Sequence, residues 1–137
     1  VWLLLAVVWT GVIFYGSTAS AERLCDRALA GVLALVAPAA GPDDGRPPDY
    51  FWEKKAIHAA LFVTLAFLLS RASVHGAHLS LVLIVVLGTA VGMASEALQF
   101  FFPSREPALR DVVINTAAVC AGVAAFHPRF RRSAAAA

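Results

Sequence analysis

The segment Leu79–Phe102, LSLVLIVVLGTAVGMASEALQFFF, contains one acidic residue, Glu96, and no basic residue. A stretch this apolar and this long meets the requirement of about 20 residues for a helix crossing a bilayer core roughly 30 Å thick. Gly88, Ala90, Gly92 and Ala94 supply small side chains for close packing against a neighbouring helix. Phe100-Phe101-Phe102 closes the run as a membrane-interface anchor. Glu96 and Gln99 stand three residues apart and so project from one helix face. A charged side chain at the centre of a spanning helix costs about 2.5–3.5 kcal/mol, and less toward its ends. That face is therefore expected to turn inward, with Lys55, His58 or Arg105 as a cationic partner.

Two further runs read as spans, Lys55 to Ser70 and Leu109 to Phe126, the latter with Ala118 and Gly122 as its small residues. The links Arg71–His78 and Pro103–Ala108 are short, which makes the three helices antiparallel neighbours. The first run, Val1 to Tyr15, is short for a span, and Ala19-Ser20-Ala21 has the small-x-small form of a signal cleavage site. No basic stretch precedes the run, and Trp2, Trp9 and Tyr15 suit an anchor, so a retained helix is expected. The next run, Leu24 to Ala37, is interrupted by Asp26 and Arg27 and ended by Pro38; its length fits an interfacial or re-entrant helix. Pro47-Pro48 makes the following loop extended. The expected fold is an all-α membrane protein with four transmembrane helices and one short interfacial or re-entrant helix. Residues 1–127 form a single transmembrane domain, and 128–137 a basic, alanine-rich, disordered tail.

Composition agrees. Of 137 residues, 60% are hydrophobic and 15% charged, against about 45–50% and 25% in soluble domains. The net charge of +2 comes with no basic stripe and interleaved aromatics, which excludes a nucleic-acid-binding surface. Cys25 lies in a polar-flanked segment and Cys120 within an apolar run, so no disulfide is expected.

The polar residues that break the apolar runs come in groups. Lys55 and His58 open one span, Glu96 and Gln99 close the next, Asp111 and Asn115 open the last, and Arg105 and Arg110 lie in or beside the link between them. Threading antiparallel helices through the bilayer brings all of them to one side at similar depth. The nine acidic residues fall on that side, whereas Arg71, Arg129, Arg131 and Arg132 stand on the other. A raw count of Lys and Arg would put the polar cluster in the cytoplasm. Several cations on its side have acidic partners, however, and the arginines opposite have none, so the cluster is expected on the extracytoplasmic face.

Glu53-Lys54-Lys55-Ala56-Ile57-His58 with Phe62, then Glu96-Ala97-Leu98-Gln99, then Arg105 and Asp111-Val112-Val113-Ile114-Asn115 resemble the signature of the VanZ-like membrane proteins. That signature opens with Asp-Lys-x-x-His, continues with Glu-x-x-Gln, and ends with Arg…Asp-x-x-x-Asn before spaced glycines. Trp9…Phe14-Tyr15-Gly16-Ser17 resembles the end of the family's first helix, so the likeness runs from about Trp9 to Gly122. The chain departs from the pattern at Lys54, where the family usually has Asp, at Ala108, where a small hydroxyl is common, and at Ala118, where the first late glycine stands. The resemblance implies a small polytopic protein of the bacterial plasma membrane. The family's namesake is associated with low-level resistance to the glycopeptide teicoplanin, and the family has no established catalytic mechanism.

Three readings of the cluster follow. In the favoured one, Lys55, His58 and Arg105 bind an anionic group, while Glu96, Gln99, Asp111 and Asn115 orient the cations and hydrogen-bond the rest of the ligand. The partners would be membrane lipids and a lipid headgroup, a cell-wall precursor or a glycopeptide. In the second, the charges only hold three helices in register. In the third, His58 acts as a general base oriented by Asp111 or Glu96 in a hydrolase or transferase acting on a lipid-linked precursor. The motifs lack a Ser or Cys nucleophile and the Ser-Gly-His stretch of lipid phosphatases. His58, Glu96 and Asp111 have no dedicated metal-ligand spacing, and neither metal nor cofactor is expected. His75, His78 and His127 are expected at the opposite interface.

Overall fold

The structure is a computed structural model that describes residues 1–36, 51–103 and 107–127. The Pro47-Pro48 loop, Arg105 and the tail from 128 lie outside the described residues. Five helices follow in order: α1 (Trp2–Gly16), α2 (Ala19–Val36), α3 (Phe51–Ala72), α4 (Leu81–Gln99) and α5 (Leu109–Phe126). Three of them, α3, α4 and α5, are long and apolar enough to cross a membrane. A fourth crossing exists if α1 and α2, bent 83° to each other, are taken as one broken span.

The sharp bend has a local cause. Ser17 ends α1 by donating both its N–H and its hydroxyl to the Ile13 carbonyl, each at 3.1 Å. Thr18 then opens α2, its Oγ1 accepting from the Ala21 N–H at 3.3 Å; a side-chain oxygen in that place satisfies a donor the helix leaves open. Ala19-Ser20-Ala21 accordingly forms the first turn of α2. This second helix starts five residues earlier than the apolar run suggested, because Thr18 supplies the cap and Glu22 sits favourably in the first turn.

The core is centred on α3, which packs against α1, α4 and α5. Phe62, Leu65, Ala66 and Leu69 of α3 meet Ile84 of α4, Ala118, Val119 and Val123 of α5, and Ala6 and Ile13 of α1. On α4 the buried positions Ile84, Gly88, Gly92, Ser95, Glu96 and Gln99 form one stripe at helical spacing. Gly88 is required by proximity, since a Cβ there would lie 2.6 Å from Val119 Cγ2. At Gly122 a Cβ would meet Ala66 Cβ at 2.8 Å and the Val63 carbonyl oxygen at 3.0 Å, so α3 and α5 touch nearly backbone to backbone. Ala90 and Ala94 correct the expected small-residue stripe. Both are exposed, because they lie two positions from the glycines and hence on another side of the helix.

The link after α3 also differs from expectation. The helix runs on to Ala72 and passes into a wide turn over Ser73–Ala77, where Gly76 adopts φ +111° and His78 φ +47°. The Ser73 hydroxyl donates to the Leu79 carbonyl at 2.7 Å, and Ser80 caps α4 by accepting from the Leu83 N–H at 3.1 Å. Trp9, expected as an interface anchor, instead donates its indole N–H to the Leu61 carbonyl in mid-α3 at 2.9 Å. Within an apolar bundle that donor needs a protein acceptor. His127, expected at the interface, is buried.

Candidate functional site

The N-terminal turns of α3 and α5 and the C-terminal turn of α4 meet at one end of the bundle. Lys55 of α3 forms an ion pair with Asp111 Oδ2 of α5, and both side chains are largely buried. Asp111 is the third residue of α5, where a carboxylate also complements the helix dipole. The exposed Arg110 approaches its second oxygen, with Nε 3.7 Å from Oδ1.

Glu96 is buried and engaged on both oxygens. Oε1 accepts from the Gln99 side-chain amide at 3.0 Å, and Oε2 accepts from the Ala108 backbone N–H at 3.1 Å. Ala108 is the N-cap of α5, so a carboxylate from α4 sits at the amino terminus of the next helix. That terminus carries roughly half a positive charge and open N–H donors. Sequence reasoning sought a side-chain cation for Glu96 and overlooked this partner. The Glu-x-x-Gln spacing, ahead of a short link into a helix whose cap position, Ala108, brings no side-chain oxygen, was the available signal.

One turn deeper lies Asn115, only 1% exposed. A Cβ on Gly92 would lie 3.5 Å from Asn115 Cβ and 3.6 Å from a ring carbon of Phe62, so these three residues share one small space. Among the described residues neither Oδ1 nor Nδ2 of Asn115 has a hydrogen-bond partner.

His58 belongs to a second face of α3. With Lys54, Ile57 and Leu61 it lines a cleft of about 90 Å³ closed on the other side by Gly16, Ala21, Glu22 and Cys25. Lys54 reaches Asp26 at 2.9 Å and Glu22 at 3.4 Å, tying α2 to α3. This network was missed in the sequence, although Glu22 and Asp26 at i,i+4 present a pair of carboxylates on one helix face. Lys54 thus has a visible counterpart in the acids of α2. Among the described residues no group of three or more His, Cys, Asp or Glu is arranged to hold a metal ion, and Cys25 and Cys120 are both free thiols.

Of the expected site residues, Lys55, Glu96, Gln99, Asp111 and Asn115 therefore converge where α3, α4 and α5 meet. His58 lines the neighbouring cleft, and Arg105 lies outside the described residues. The family model for VanZ/LLP1 matches residues 2–131. The chain belongs to the VanZ/LLP1 family. Its match covers all five helices, so the VanZ-like signature and the observed bundle describe the same unit. No curated protein and no solved structure gives a significant match.

Proposed function

We propose that this VanZ-like protein binds the polar headgroup of an envelope component at the α3–α4–α5 end of the bundle. The observation carrying the reading is the buried, unpartnered amide of Asn115 beneath the Lys55–Asp111 pair. A buried polar group without a partner costs about 1–3 kcal/mol, and native proteins rarely retain one without water, an ion or a ligand to satisfy it. An incoming phosphate or carboxylate would compete with Asp111 for Lys55, with Arg105 adding positive charge and His58 at hand from the neighbouring cleft as a hydrogen-bond donor. A hydroxyl or amide of the same headgroup would complete the hydrogen bonds of Asn115. Glu96 and Gln99 would hold the end of α5 in place. The ligand class is an anionic lipid headgroup or a cell-wall precursor, and the site opens to the extracytoplasmic face of a bacterial plasma membrane. Binding there would underlie glycopeptide resistance of the teicoplanin type or envelope maintenance.

The test is expression in a glycopeptide-susceptible host, comparing the parent chain with Lys55→Ala, His58→Ala, Glu96→Ala, Arg105→Ala and Asp111→Ala. Loss of teicoplanin tolerance with normal membrane assembly supports the site. Failure of every variant to assemble would instead assign the charges to scaffolding. Turnover of a labelled lipid-linked precursor, lost in His58→Ala, would replace binding by catalysis. Cysteine accessibility at position 104, introduced by Ser104→Cys, tests the side. Labelling only from the cytoplasm reverses the orientation.

A further inference from the structure

At the opposite end of the bundle, Trp2 of α1, Arg71 near the end of α3 and His75 in the wide turn form a second cluster. The Trp2 and His75 rings stack with centroids 6.0 Å apart and planes 20° from parallel. Phe67 meets Trp2 edge-on at 6.1 Å and Phe126 at 5.1 Å. The Arg71 guanidinium carbon stands 5.2 Å from the Trp2 ring centroid. Trp2 and His75 also border an open hollow that extends to Val1.

The charge pattern at this end is one-sided. The sequence contains no Asp or Glu from residue 1 to 21, from 56 to 95, or from 112 to 137. Those stretches include the start of α1, the end of α3, the wide turn, the start of α4 and the end of α5. Among the described residues Arg71 accordingly meets an indole and no carboxylate. A guanidinium lying on an aromatic face keeps its N–H edge available, and that planar edge matches the oxygens of a phosphate. Tryptophan with arginine at a membrane boundary is the combination that places side chains at headgroup depth.

We propose that this cluster is a headgroup site for an anionic phospholipid, with Arg71 holding the phosphate and Trp2 and His75 packing against the glycerol. The site is separate from the one around Asn115 and does not depend on it. The ligand is a lipid because Arg71, Trp2 and His75 stand together at the end of a helix apolar enough to cross a membrane, where the neighbouring phosphates are those of lipids.

The test uses Trp2 as its own reporter, in a Trp9→Phe, Trp52→Phe background that leaves it as the single indole of the chain. The full chain is reconstituted in phosphatidylcholine vesicles containing either brominated phosphatidylglycerol or brominated phosphatidylcholine. The anionic lipid is expected to quench the fluorescence several-fold more efficiently per molecule. Arg71→Gln should bring the two lipids to parity, and Arg71→Lys should retain part of the preference. Equal quenching in the parent, or an unchanged preference in Arg71→Gln, overturns the proposal. If Arg71→Gln does not assemble, the parent comparison and Arg71→Lys decide. Loss of the preference on adding inorganic phosphate at constant ionic strength would show a free-anion site and overturn the lipid assignment.

Discussion

Replacing Asn115 by leucine separates a binding role from a structural one. The side chain is almost completely enclosed, and both of its amide atoms lack partners. Leucine keeps the branching of asparagine but is bulkier, so overpacking at this enclosed site should cost about 1–3 kcal/mol. Against it stands release of a desolvation cost of about 1–3 kcal/mol for a buried polar group left unpaired, with a few tenths more from the better helix propensity of leucine. The opposing contributions nearly offset each other, so Asn115→Leu should change the stability of the ligand-free bundle by less than about 1 kcal/mol while abolishing the proposed glycopeptide tolerance. Asn115→Ala escapes the overpacking but leaves a void between Gly92 and Phe62 that costs about 24 cal/mol per Å³. Equilibrium unfolding in mixed micelles, followed by helical circular dichroism, measures the first effect, and growth under glycopeptide the second. Destabilisation of Asn115→Leu by more than about 1 kcal/mol would refute the reasoning, since it would mean that the resting protein already satisfies the amide.

Three further outcomes follow from the contacts. Glu96→Ala strips acceptors from Gln99 and the Ala108 N–H and should cost about 1–3 kcal/mol in the same unfolding assay, whereas Glu96→Gln, which keeps an acceptor, should cost less. Gly122→Ala should destabilise by about 1–3 kcal/mol because its methyl group runs into Ala66 and the Val63 carbonyl; Gly11→Ala, with nothing within 4 Å, should be neutral to stabilising, by up to about 1 kcal/mol. Lys54→Glu should speed maleimide labelling of Cys25 by freeing α2, and adding Asp26→Lys should slow it again; unchanged labelling in both would dismiss the Lys54 tie. Its contribution to stability should be small, since partly exposed ion pairs are worth about 0–1 kcal/mol.

Much of this arrangement was legible in the residues. Antiparallel threading of the three long apolar runs brings Lys55, Glu96 and Asp111 to one end, and the bounds of α5 coincide with its apolar run. What escaped were the interactions whose partner is backbone or lies on a distant element. Glu96 meets a helix terminus, which carries no side-chain signature, and Trp9 meets a carbonyl in mid-α3. His58 and Lys55 share helical spacing, yet one side of α3 faces α5 and the other faces α2. Periodicity shows that two residues are near each other on one helix. It does not show which neighbour each of them meets.

The hydrogen bond from the Ala108 N–H to Glu96 bears on how the protein is made. Glu96 belongs to the last turn of α4, and when that helix enters the bilayer the amino terminus of α5 has yet to arrive. A carboxylate in that state stays at the water boundary, since moving it into lipid is costly. Arrival of α5 supplies the donor that lets the last turn of α4 become interior. Helices α4 and α5 are therefore expected to complete their insertion together, as a hairpin.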